Sequence, residues 1–184
     1  ILDEALTELK QEEFGSFFEE KEEVNLFKEC VVDTNMPALL PDEYVSSVEE
    51  RLILYNKLNR IFNETELAKF EKELQDRFGR IPYQTNDLLD LIRLKWQAME
   101  MGIEKITLKN KLMRAFFPYS NTKNQKFQTT ILQKTLTFVK HNPGRCKFNE
   151  KPNGLELVIK PIEFVDEALE VINSINKAEM AGYQ

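Results

Sequence analysis

The chain has 184 residues, 42% of them hydrophobic and 10% aromatic. That length and composition suit one domain, or one compact domain with a tail, globular rather than disordered. No run approaches the ~20 apolar residues of a membrane span, and the opening does not read as a secretory leader. A domain this size buries roughly 70% of its unfolded surface, so it needs no disulfide or metal staple.

The net charge of −6 is unevenly spread. Residues 1–101 carry 12 Lys+Arg against 23 Asp+Glu, residues 102–147 carry 10 against the lone Glu104, and residues 148–184 carry 3 against 7. An acidic protein with one basic segment must be weighed as a nucleic-acid binder. Cys30 and Cys146 are the only cysteines. An isolated, distant pair is expected to be two buried reduced thiols in a cytoplasmic protein, with a disulfide as the alternative. The chain opens at Ile1 rather than Met, as expected of a piece of something longer.

Leu2, Ala5, Leu6 and Leu9 form an apolar stripe at helical spacing. "QEEFGSFFEEKEEVNLF" then reads as an acidic connector, with Phe14, Phe17 and Phe18 as ordering anchors. Residues 30–34 are β-branched and precede Pro37, which predicts a strand. Ser47 and Glu50 spell a capping box for a helix reaching about Phe62, with Val48, Leu52, Tyr55, Leu58 and Phe62 on one face. Asn63 and Glu66 repeat the logic for a second helix, whose stripe is Leu67, Phe70, Leu74 and Phe78. Gly79 suits its left-handed stop, and Pro82 prevents continuation. A third helix over 84–101 turns Leu88, Leu91, Ile92 and Met99 inward.

Beyond Gly102, "IEKITL" and "KLMRAFF" flank Asn110 as a hairpin. "SNTKNQKFQ" is a polar link. "TTILQKTLTFVKH" is a helix with Ile131, Leu132, Thr135, Leu136 and Val139 at its spacing. "RCKFNE" and "GLELVIK" make a second hairpin. A closing helix from about Ile162 sets Phe164, Ala168, Leu169, Ile172 and Ile175 on one side. The sum is an α+β fold, several helices packed on a small, mostly antiparallel sheet.

No phosphate-cradling loop of either common kind is present, so no nucleotide site and no cofactor are expected. His141, the single histidine, reads as a surface residue at a helix end, and nothing is spaced to hold a metal. The basic segment sets Lys105, Lys109, Lys111 and Arg114 among Phe116, Phe117, Tyr119 and Phe127. Basic grooves with stacking aromatics hold single strands. The plainer reading sends the aromatics to the core and the lysines to solvent.

"ELQDRFGRIP" (73–82) concentrates charge at the end of the second helix. At ~100° per residue, Glu73, Asp76 and Arg77 fall opposite the Leu67–Phe78 stripe and face away from the core. They are either a wet helix face with an i,i+4 pair or a docking surface.

The blocks "MPALLPDEYV", "RLILYNKL", "ELQDRFGRIP" and "LLDLIRLKWQAMEMGIEKI", in this order and spacing, resemble the C-terminal domain of the bacterial transcription-repair coupling factors. The match is strong over residues 31–106 and weaker over 107–184. The opening helix resembles the end of that family's translocase module, and residues 11–29 depart from the pattern as an acidic insert. The resemblance implies a division into a linker over 1–28 and a regulatory domain over 29–184. It implies a domain without chemistry of its own, the ATP site lying in motor domains elsewhere. It further implies that the domain folds back on an N-terminal module resembling the repair helicase UvrB and masks the surface that binds UvrA. RNA polymerase and DNA are then partners of the full-length protein only, and no membrane is involved. By match to the "ELxDRFG" helix, Glu73, Asp76 and Arg77 stand at that intramolecular interface. A nucleic-acid-binding module using residues 105–140 is the alternative.

Overall fold

The computed structural model describes residues 30–119 and 125–178, with the side chains of 125–128 set aside. The opening helix, the acidic connector and the division at residue 28 lie outside the described residues. In chain order, strand β1 (Val31–Thr34) leads to three helices, α1 (Val48–Leu58), α2 (Glu64–Phe78) and α3 (Tyr83–Glu100). The hairpin β2 (Lys105–Lys109) and β3 (Leu112–Pro118) follows, then α4 (Gln125–His141). A second hairpin, β4 (Cys146–Lys151) and β5 (Gly154–Ile159), precedes α5 (Val165–Lys177). The five strands form one sheet in the order β1-β2-β3-β5-β4. Only β1 pairs in parallel, Val31 opposite Lys105; the other three pairings are antiparallel. The expected α+β class is what is found.

Local signals explain most of these elements. The Ser47 hydroxyl accepts from the Glu50 N–H at 3.3 Å, and the Asn63 side chain accepts from the Glu66 N–H at 2.9 Å. Each satisfies one of the donors left orphaned at a helix start. Gly79 closes α2 at φ 82°, ψ −154°, a region essentially reserved for glycine. Asn110 and Lys111 both have positive φ, as the two-residue turn between β2 and β3 requires. The Glu167 carboxylate accepts from the N–H groups of Glu163 and Phe164 and so caps α5 from inside.

The apolar residues gather in two clusters. One lies under the sheet and includes Ile106, Leu108, Met113, Leu157, Ile159, Ile172 and Ile175. The other joins α1, α2 and the 38–45 loop through Leu54, Leu58, Leu67, Phe70 and Leu74. Helix α3 belongs to both, giving Leu88 and Leu89 to the second and Leu94 and Ala98 to the first. Tyr55 accepts from the Leu40 N–H at 2.8 Å and pins the loop over the second cluster.

Several expected core positions are corrected. Helix α1 stops at Leu58, not Phe62, and its buried residues are Leu54 and Leu58. Val48 is 55% exposed and Phe62 77%. Leu136 and Phe164 are also exposed, the latter because it precedes α5 in extended backbone. On α3, Leu91, Ile92 and Met99 are only half-buried, while Leu89, Leu94 and Ala98 are fully enclosed. Helix α4 begins at Gln125, inside the segment read as a polar link.

Cys30 and Cys146 are buried free thiols. Burial pushes the Cys30 thiol up to about 12 and raises Cys146 as well. Both should therefore resist alkylation in the native protein at mildly alkaline pH and react at once in denaturant. The unfolded Cys30 ionises near pH ~8.5. Its stabilising share is thus complete below that value and is lost as pH rises toward about 12, at about 1.4 kcal/mol per pH unit. Melting curves across alkaline pH, compared with Cys30→Ala, check the slope. A native Cys30 that alkylates as fast as the denatured one contradicts this.

Candidate functional site: the charged end of helix α2

Three contacts fix the C-terminal end of α2. The Tyr44 hydroxyl donates to the carbonyls of Leu74 (3.0 Å) and Gly79 (3.1 Å), which ties the 38–45 loop to the helix end. The Tyr44 ring meets Phe78 edge-on, centroids 5.7 Å apart, and burial raises the Tyr44 pKa. The Arg77 guanidinium stacks near the Phe78 ring at 4.9 Å.

The three residues singled out by their position on the helix have different surroundings. Arg77 donates to the Glu50 carboxylate of α1 at 2.6 Å and lies 3.6 Å from Glu73. Glu73 also receives a hydrogen bond from Lys57 of α1. A charge chain Lys57–Glu73–Arg77–Glu50 thus runs across two antiparallel helices. Asp76 is exposed, and no ion pair to it is found among the described residues. The helical wheel is met only in part: Asp76 and Arg77 are exposed and Glu73 is half-buried, while Lys57 and Arg77 lie over rings of the second apolar cluster, Phe70 at 6.0 Å and Phe78 at 4.9 Å.

The partners on α1 are what sequence reasoning missed. Glu50 and Lys57 are two turns apart on α1, and Glu73 and Arg77 one turn apart on α2, so the cross-helix match was a possible signal. These pairs are a third to a half exposed, so each contributes only ~0.2–1 kcal/mol. Glu73→Ala should lower stability by about 1 kcal/mol at most. Asp76→Ala should fall within about 0.5 kcal/mol of wild type, as surface changes do. Urea titrations of both variants check the difference.

A second charge network went unread. Arg93 of α3 grips Glu64 through both Nε (3.0 Å) and Nη2 (2.7 Å) and reaches Glu71 and Asp90 at 3.3 and 3.0 Å. Bidentate geometry of this kind fits the planar guanidinium. Hydrogen bonding to Glu64 raises the Arg93 pKa, while burial raises that of Asp90 against the pull of Arg93. It locks α2 to α3 and so sets the direction in which the α2 end points.

Three of the four basic residues singled out stand in ion pairs. Lys109 pairs with Asp33 at 2.7 Å, Lys111 with Glu163 at 2.8 Å and Arg114 with Glu156 at 3.3 Å. Lys105 is exposed on the same sheet face as Lys109 and Arg114. Phe117 turns into the core beside Phe148, but Phe116 lies half-buried on the opposite sheet face and Tyr119 is exposed, so the plainer reading holds only in part. His141 is exposed in the last turn of α4, its Nδ1 2.7 Å from the Thr137 carbonyl. Among the described residues no three His, Cys, Asp or Glu side chains gather to hold a metal. No helix among them is long and apolar enough to cross a membrane.

These features define a small α+β module whose distinctive surface is a charged helix end held in a fixed orientation. The TRCF domain model matches residues 34–128, about half of the chain. The chain belongs to the TRCF domain family. It is 36% identical over 118 residues to the transcription-repair-coupling factor of Escherichia coli K12, covering 64% of this chain and 10% of that protein. It is 29% identical over 146 residues to the transcription-repair-coupling factor of Rickettsia prowazekii, covering 79% of this chain and 12% of that one. The chain therefore spans about a tenth of the length of these curated relatives. Its fold is similar to the crystal structure of a C-terminal domain of transcription-repair coupling factor, with TM-score 0.65 and 19% identity, over 81% of this chain and 92% of that one.

Proposed function

We propose that this chain is a non-catalytic regulatory domain of a transcription-repair coupling factor. Residues 29–184 form the domain, and residues 1–28 link it to a preceding translocase module. It docks on the N-terminal UvrB-like module of the same protein and masks the surface that binds UvrA. RNA polymerase and DNA are met only through the full-length protein, which works in the cytoplasm.

The observation that carries this reading is the α2 end. Asp76 is exposed beside Arg77, on a helix locked to α1 and α3 by charge and to the 38–45 loop by Tyr44. A rigid charged surface loses little entropy on docking. Membership of the TRCF domain family supports the assignment. A repressed state must be releasable, so its closing energy is about 1–3 kcal/mol, as for typical coupling between sites.

Asp76→Arg is the cleanest probe, because it reverses a charge without touching the Lys57–Glu73–Arg77–Glu50 chain. In the full-length protein it should raise UvrA affinity about 5-fold or more with no change in melting. High salt should reproduce part of the gain, since a charged contact is screened. Equal affinities at equal stability would leave the α2 end as a solvated helix face. The nucleic-acid alternative, through Lys105, Lys109, Lys111 and Arg114, is the weaker one, because three of these cations already have carboxylate partners.

A further inference from the structure

Three segments of the chain meet at the end of the sheet where β2 turns into β3. They are the Asn110–Lys111 turn, residues 144–145 ahead of β4, and residues 160–161 after β5. Backbone hydrogen bonds knit them together. The Lys160 N–H donates to the Arg145 carbonyl at 3.0 Å, and the Ile162 N–H donates to the Lys111 carbonyl at 3.0 Å. Ile162 is itself buried in the core under the sheet, which anchors the 160–161 segment. Together the three segments wall an open recess of about 460 Å³. That volume lies within the range of small-molecule sites.

The lining carries charge of one sign. Lys111, Arg145 and Lys160 supply three cations and Asn110 an amide, and among the described residues no carboxylate lines the recess. Leu112, Gly144 and Pro161 supply the non-polar remainder. Three cations gathered from separate segments repel one another unless an anion stands between them. Arg145 and Lys160 have no ion pair among the described residues; the Arg145 Nη2 donates to the Pro161 carbonyl at 3.3 Å. Lys111 holds Glu163 at 2.8 Å, but both side chains are largely exposed, and a pair of that kind yields to a better-placed anion.

We infer that this recess binds a small phosphorylated ligand, its phosphoryl group among Lys111, Arg145 and Lys160 and its carbon part against Leu112 and Pro161. The guanidinium fork matches phosphate oxygens, and the bond to Pro161 engages one of its five donors and orients the rest. The Asn110 amide can donate to a further oxygen. Gly144 leaves the recess clear, since nothing lies within 4 Å of a methyl built there. A small ligand fits better than a polymer. A nucleic-acid backbone needs a track of cations. The cations next along β2 and β3, Lys109 and Arg114, are committed to Asp33 and Glu156, which interrupts that track. The net charge of −6 also repels a polyanion at long range.

The test is an amide NMR titration of the full 184-residue chain with inorganic pyrophosphate and with glycerol phosphate, ionic strength being held constant with sodium chloride. Both should give saturable shifts centred on Asn110, Lys111, Leu112, Gly144, Arg145 and Lys160. Lys160→Gln, a change at an exposed residue, should weaken binding about 10-fold at unchanged stability. Gly144→Asp should abolish it, because the added carboxylate enters open space beside the three cations. No saturable shift with either compound, shifts scattered over the whole surface, or wild-type affinity in the folded Lys160→Gln and Gly144→Asp chains overturns the inference. So does tighter binding at these amides by a single-stranded oligonucleotide without terminal phosphates than by glycerol phosphate, which would make a nucleic-acid backbone the occupant.

Discussion

Leu74→Ala should cost about 2–5 kcal/mol and lower the melting temperature by about 2–4 °C for each kcal/mol. Leu74 is 0% exposed and stands where α2 meets α1 and the loop held by Tyr44. Truncation removes the transfer energy of its side chain and leaves a cavity that helices pinned by Arg93 and Tyr44 cannot collapse into. The transition should stay single, because α3 buries residues in both apolar clusters and couples them. Calorimetry of the variant checks both points. A cost near zero, or two separate transitions, would contradict the packing described for α2.

Gly154→Ala should cost about 3 kcal/mol or more, the upper range for overpacking. A methyl built there lies 2.2 Å from the Phe117 carbonyl oxygen and 2.8 Å from the Phe116 ring. The ring could turn aside, but the carbonyl belongs to β3, which pairs with β5 along its length. One of these two interior strands must move. Gly144→Ala is the control, since nothing lies within 4 Å of its added methyl. It should fall within about 0.5 kcal/mol of wild type. A Gly154→Ala protein as stable as that control would mean that the β3–β5 register is wrong.

The sequence was most legible where one local interaction decides. The Ser47 and Asn63 caps, the Gly79 stop and the Asn110 turn each depend on a few neighbouring residues, and all four are found. The Leu67–Phe70–Leu74 stripe was legible because the rest of α2 is almost wholly polar. Helix α1 was not, for the opposite reason. Val48, Leu52, Ile53, Leu54, Tyr55 and Leu58 offer apolar residues on several sides. Packing against α2 and the 38–45 loop selects Leu54 and Leu58, and periodicity alone cannot. The β1–β2 pairing joins Val31 to Lys105 across three helices and has no local signature. The same limit applied at the α2 end. The wheel turned Glu73, Asp76 and Arg77 outward, but Glu50 and Lys57 became their neighbours only through the α1–α2 crossing.

That crossing leaves Asp76 as the charge most available to a partner, and the account of a docking domain rests on it. The most direct measurement is a titration of this chain against the isolated N-terminal module of the same protein, with wild type and Asp76→Arg side by side. The account predicts saturable binding that weakens with salt and falls about 5-fold or more in the variant. No binding by the folded wild-type chain, or equal affinity for both, would contradict it.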